Sequence, residues 1–202
     1  MRFQGDHGMV AIVCLFTTGA ALGVEWRPGY ADDFERTKLD GNYDVKNGQA
    51  AIVDGRLKLT GNDVTVYCMA PVPRDCRVEF DAMPLPDGMI GSLGCLFWSG
   101  GGAHYRFEFG ADNNRVNRII GPGLELVDNN PSARIEPGKW HRLVAERDGK
   151  RLSLTVNGVV VLTGEVEKVV GHEGIQRIAL VSDRGMLVDN LRQFSRYPAH
   201  PD

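Results

Sequence analysis

A positive excess is missing from this sequence. Lysine and arginine total 23 against 26 aspartates and glutamates, for a formal charge of −3 and a pI near 6.0. A nucleic-acid binder normally carries a basic footprint that displaces counterions from phosphates, so that class is set aside. Helical periodicity is also missing: after residue 24 no window of about a dozen residues keeps apolar positions at a 3.6-residue spacing. That excludes a helical bundle. None of the four cysteines stands at zinc-site spacing from another, so no zinc is expected. No Gly-x-Ser-x-Gly elbow occurs, and no Ser/His/Asp spacing stands out. The one sustained apolar run, Met9 to Leu22, is too short to span a bilayer comfortably. With Arg2 before it and Ala21-Leu22-Gly23 at its end, residues 1–23 read as a secretory signal. The competing reading makes Met9 the first residue.

What is present is ordinary globular composition, 43% hydrophobic and 24% charged over 202 residues, enough for one domain over residues 24–202. Short alternating runs recur between turn signals. Asp54-Gly55, Asp148-Gly149 and Asn157-Gly158 each sit between two such runs, and these residue pairs tolerate the positive φ of type I′ hairpin turns. Further strands are expected at 64–70, 76–83, 91–98, 103–109, 115–120, 175–182 and 186–194. About a dozen short strands at this spacing predict an all-β, antiparallel two-sheet sandwich. The small residues Ser99 to Gly102 are followed by a period-2 strand, so they read as a link between strands, not a phosphate loop.

Signal removal takes Cys14 and leaves three cysteines. In an oxidising compartment a Cys68–Cys76 bridge across adjacent strands is one reading, with Cys95 a buried thiol. Three small buried apolar residues is the other.

"GKWHRLVAERDGKRLSLTVNGVVV" (138–161) resembles the core hairpins of laminin-G-like and concanavalin A-like jelly rolls. There Trp-His-x-Leu opens a strand, a glycine turn follows, and the next strand ends in Asn-Gly or Asp-Gly. "YADDFER" (30–36) and "GMLVDNLRQF" (185–194) are similar to the first and last strands of that superfamily in secreted bacterial proteins. The resemblance spans nearly the whole mature chain and implies a jelly roll. It leaves function open, because lectins, glycosidases, lyases and adhesion modules share the architecture. The 3-keto-disaccharide hydrolase set is a neighbour whose pattern includes Asn-Ser-Gly and Tyr-Glu-x-Gln strands. This chain has "GSLGCLFW" (91–98) and "HYRFEFG" (104–110) there instead.

Jelly rolls of this kind place a ligand groove on the concave sheet, which makes one strand the centre of the functional reading. Period 2 puts Tyr105, Phe107 and Phe109 on one side of strand 104–109 and His104, Arg106 and Glu108 on the other. The second set is either a solvated surface or a ligand face. Sugars offer CH faces to rings and hydroxyls to amides and guanidinium groups. The expected ligand is therefore an oligo- or polysaccharide, with Trp98 stacking and Arg106, Asn113, Asn114 and Asn117 bonding. If the protein is an enzyme, of glycoside hydrolase or lyase type, Glu108 and His104 are the expected acid/base pair. A noncatalytic laminin-G-like adhesion module is the rival from another class.

Three further clusters were weighed. Glu79-Phe80-Asp81 resembles the start of the laminarinase Glu-x-Asp-x-x-Glu strand but lacks the second glutamate, so double-displacement chemistry is not expected there. Asp33 and Asp189 are candidate ligands for a structural calcium, because first and last strands often pair in such folds. Against this, Asp189-Asn190 reads equally as a bend or bulge and Asp33 as a turn cap. Trp140 is expected to fill the core or its edge, with His141 pointing the other way.

Overall fold

The structure is a computed structural model that describes residues 25–73, 75–86, 90–99, 103–129, 131–166 and 177–196. Residues 1–23, expected as a signal, the link Gly100–Gly102, His172 and His200 lie outside the described residues. Thirteen strands are described: β1 (Trp26–Asp32), β2 (Tyr43–Val53), β3 (Arg56–Cys68), β4 (Cys76–Pro84), β5 (Leu93–Ser99), β6 (Ala103–Gly110), β7 (Val116–Gly121), β8 (Leu124–Asp128), β9 (His141–Asp148), β10 (Arg151–Val156), β11 (Val159–Glu165), β12 (Arg177–Ser182) and β13 (Gly185–Arg196).

The pairs in the sheet are antiparallel and run in one path, β11-β10-β9-β4-β13-β3-β12-β5-β6-β7-β8, with β1 on β13 and β2 on β3. The path folds over so that its two halves face each other. Arg147 of β9 lies 5.2 Å over the Tyr105 ring of β6, and the Phe109 ring of β6 is 5.2 Å from His141 of β9. At the far end, a Cβ on Gly164 of β11 would strike Leu126 of β8. This is the expected jelly-roll sandwich. Two long strands join its halves. β3 pairs through Leu57–Thr60 with β13 and through Val64–Cys68 with β12. The two shorter strands expected on either side of residues 61–63 are therefore one strand.

Alternation builds the core. In β4 (CRVEFDAMP) and β9 (HRLVAERD) every second residue is buried, and the apolar set packs against the rings of β5 and β6, with Phe97 and Phe107 at 4.7 Å. Complete burial of each such ring stabilises by about 1.5–3 kcal/mol. Two of the three expected turns follow the chemistry of their residue pairs; the third falls one residue later, at Gly149-Lys150, because Asp148 still pairs with Arg151. Asp54 and Gly55 take φ 51° and 67°, and Asn157 and Gly158 take 51° and 82°, the double positive φ that a type I′ turn requires.

One open reading is resolved and one expectation is corrected. Cys68, Cys76 and Cys95 are all buried free thiols. Strand β13 separates β3 from β4, so Cys68 and Cys76 do not sit on adjacent strands. Trp140 and His141 exchange places: Trp140 is on the surface under the Arg56 guanidinium (5.4 Å), while His141 is buried. The reason lies in β9, where inward positions are 141, 143, 145 and 147, and His141 Nε2 accepts the Glu136 backbone N–H at 3.1 Å.

Candidate functional site

The outward face of the β3-β12-β5-β6-β7 half carries the residues singled out from the sequence. Ile178, Leu180, Cys95, Phe97 and Phe107 point into the core, so their neighbours point out, and the register sets those neighbours in rows. One row runs Arg177–Trp98–His104. The next runs Tyr67–Ala179–Leu96–Arg106–Ile120, and the third Thr65–Val181–Gly94–Glu108–Arg118. Leu96, Ala179 and Val181 form a small apolar cluster of their own, roofed by Tyr67 and Trp98.

Trp98 therefore stands where stacking needs it. Its ring meets Tyr67 edge-on at 6.3 Å and 78°, and the Arg177 guanidinium lies 5.9 Å above it. Lys46, Asn47, Thr65, Tyr67, Trp98 and Arg177 line an open groove of about 390 Å³. Lys46 is held by Asp44 at 2.7 Å. Of these groove residues only Trp98 was picked out from the sequence. Tyr67 carries a local signal, as the outward ring in the alternating "VTVYC" (64–68). Arg177 carries none, since only the pairing of β12 with β5 places it over Trp98.

Arg106 and Glu108 share the face, in a different state from the one expected. Glu108 is 1% exposed. Its Oε1 accepts from Arg106 Nε at 2.8 Å, its Oε2 accepts from Arg118 Nε, and Ser92 Oγ is 3.3 Å from Oε1. The single Ser92 hydroxyl proton is committed to Asp183 Oδ1, 2.5 Å away. Burial works to lower the Arg118 pKa, but Glu108, then Asp112 and Asp183, outweigh it and raise it. Glu108 is thus the buried centre of an ion-pair cluster. His104 is exposed, four residues away along the same strand, roughly 13 Å by the strand rise. That is too far for the two to share a proton directly.

The asparagines are set by the backbone. Asp112, Asn113 and Asn114 have φ of 51°, 57° and 63°, a left-handed turn between β6 and β7. Asparagine and aspartate are the non-glycine residues that accept this conformation most readily. Asn114 donates to the Ile135 carbonyl and accepts its N–H, both at 2.8 Å. Asn117, fully buried, accepts the Gly110 N–H at 3.0 Å and donates to the Ala133 carbonyl at 3.2 Å. Both amides are spent on the chain itself, while Asn113 faces solvent.

The calcium candidates Asp33 and Asp189 are each engaged by the neighbouring backbone. Strands β1 and β13 do pair, but Asp33 is exposed and caps the Glu35 N–H at 3.2 Å, and Asp189 accepts the Asn190 N–H at 2.7 Å beside Arg56. Asn190, at φ 52°, makes the bulge in β13. Among the described residues no group of three or more His, Cys, Asp or Glu is arranged to hold a metal. The buried member of the first acidic pair is Asp32. It accepts Arg36 Nη1 at 2.7 Å and Nη2 at 2.8 Å, Tyr43 Oη at 2.7 Å and the Phe34 N–H at 2.8 Å. Burial pushes its pKa up, and Arg36, Tyr43 and the backbone more than offset that and lower it. On β4, Glu79 is held by Arg77 and Arg142, and Asp81 by Arg142 and Asn190.

No protein-family model matches the sequence, and no curated protein sequence matches it. Solved structures do match. Carbohydrate-binding module CBM66 from Bacillus subtilis aligns at 18% identity over 76% of this chain and 96% of its own, with a TM-score of 0.63. A galectin-like protein of unknown function from Bacillus subtilis aligns at 11%, over 86% and 100%, with a TM-score of 0.65. The endo-β-1,3-glucanase of Pyrococcus furiosus aligns at 13%, over 86% and 96%, with a TM-score of 0.64. The chain has the concanavalin A-like jelly-roll fold. At these identities the likeness is one of architecture.

Proposed function

We propose that this jelly roll binds a glycan on the outward face of its β3-β12-β5-β6-β7 half and acts outside the cytoplasm after losing residues 1–23. The observation that carries the reading is the groove of Lys46, Asn47, Thr65, Tyr67, Trp98 and Arg177. It joins two aromatic rings to amide, hydroxyl and cationic groups, the mixture that sugar CH faces and hydroxyls call for. Structures of the same fold include a carbohydrate-binding module and several glucanases, which supports the ligand class. The role of Glu108 in this reading is to hold Arg106 and Arg118 in place. Binding, not hydrolysis, is the activity proposed.

The test is a glycan array of neutral and acidic oligosaccharides probed with wild type, Trp98→Ala and Tyr67→Ala. A retained glycan that loses about tenfold in affinity in either variant is expected, since ring stacking contributes on the order of 1 kcal/mol or more. No bound glycan at all, or equal binding by all three proteins, overturns the proposal.

A further inference from the structure

The outward rows carry three arginines that are not equally engaged. Across β12, β5, β6 and β7 the three rows set Arg177, Arg106 and Arg118 against one carboxylate, Glu108, which lies buried beneath two of them. Arg106 and Arg118 are balanced by Glu108 together with Asp112, 3.7 Å from Arg118, and Asp183, which also acts on Arg118; Asp44 is spent on Lys46, and Glu125 sits at the β8 edge. Arg177 stacks over Trp98 and forms no ion pair with a carboxylate among the described residues. Its guanidinium lies over the ring at 5.9 Å, placed to meet an anion stacked on that face.

From these observations we infer that the ligand of this groove is an acidic glycan, one bearing uronate carboxylates or sulfate esters. This rests on the glycan reading above and names the class. A guanidinium matches a planar or tetrahedral oxyanion with two parallel donors, and stacking on Trp98 fixes the direction in which Arg177 presents them. A neutral sugar would leave those donors with hydroxyls alone. Arg106 lies two strands across and two residues along from Arg177, roughly 12 Å by strand spacing and rise. A chain of more than one sugar is needed to meet both.

Calorimetric titration with polygalacturonate, its carboxyl-reduced neutral form, dextran sulfate and dextran tests this. Polygalacturonate or dextran sulfate is expected to bind, the stronger of the two telling carboxylate from sulfate recognition. The neutral counterpart of the binder should be weaker by about tenfold or more, and raising NaCl from about 50 to 500 mM should weaken the acidic ligand by a similar factor. Arg177→Gln should lose about tenfold for the acidic polymer, with an unchanged melting temperature. Arg106→Gln is the less clean variant because it strips a partner from buried Glu108. Equal binding of the acidic and reduced polymers, or Arg177→Gln binding like wild type, overturns the acidic class and leaves the glycan reading standing. Failure of every polymer, together with an empty array, overturns both.

Discussion

His141 shows how a residue that looks chemical is put to structural use. It is buried between the sheets, edge-on to Phe109, with Nε2 accepting a backbone N–H. Burial depresses its pKa below the usual 6.5, against the smaller raising effect of Glu136. The unfolded chain therefore takes up a proton near pH 6.5 that the native state refuses. Stability from this residue is fully present above pH 6.5 and is lost as pH falls below it, at up to about 1.4 kcal/mol per pH unit, until the native histidine titrates. Urea unfolding at pH 7.5 and 5.0 should show wild type losing stability, and His141→Gln losing less over the same interval. Parallel pH dependence in the two proteins would sink this account. The sequence placed Trp140 inward and His141 outward because tryptophan is the larger apolar side chain. The parity of β9 decides otherwise, with Leu143 and Ala145 committing odd-numbered positions to the core.

At the scale of elements, hairpins and strand faces were legible because their causes are local. A φ > 0 requirement selects Asn-Gly and Asp-Gly, and a half-buried strand alternates. The asparagine cluster was legible as a group of amides, but not the left-handed backbone that Asn113 and Asn114 adopt, nor the use of Asn114 and Asn117 within the chain. The turn that carries Asp112, Asn113 and Asn114 sets the angle between β6 and β7 and docks residues 133–135 through Asn114 and Asn117. Exposed Asn113 separates backbone from side-chain effects. Asn113→Gly should leave stability unchanged or slightly raised, whereas Asn113→Val should cost about 1 kcal/mol or more, because a β-branched residue resists the left-handed region. Urea midpoints of the two variants check this, and equal midpoints would contradict it. The groove was only partly legible for the opposite reason. Residues 46, 67, 98 and 177 meet through pairings of β2, β3, β5 and β12, and no local pattern announces those.

Over the whole molecule, the sandwich is held without cross-links among its described cysteines. Cys68, Cys76 and Cys95 are free, and burial raises the pKa of all three, so each is a protonated, unreactive thiol at neutral pH. The melting temperature should be the same with and without dithiothreitol. A disulfide would be worth about 2–4 kcal/mol, so a drop of several degrees under reduction would reveal one.

The position of β13 has a consequence for how the chain is made. It is the last described strand in the sequence, yet it lies in the interior of the sheet, between β4 and β3, and it also holds β1. A ribosome delivers it after every other strand. Until residue 196 has emerged, β4 and β3 have no strand to join them, β1 has no partner, and the two layers have no frame to close on. Strand order therefore defers closure of the sandwich until β13 has been made, while hairpins such as β5–β6 and β9–β10 need no later strand.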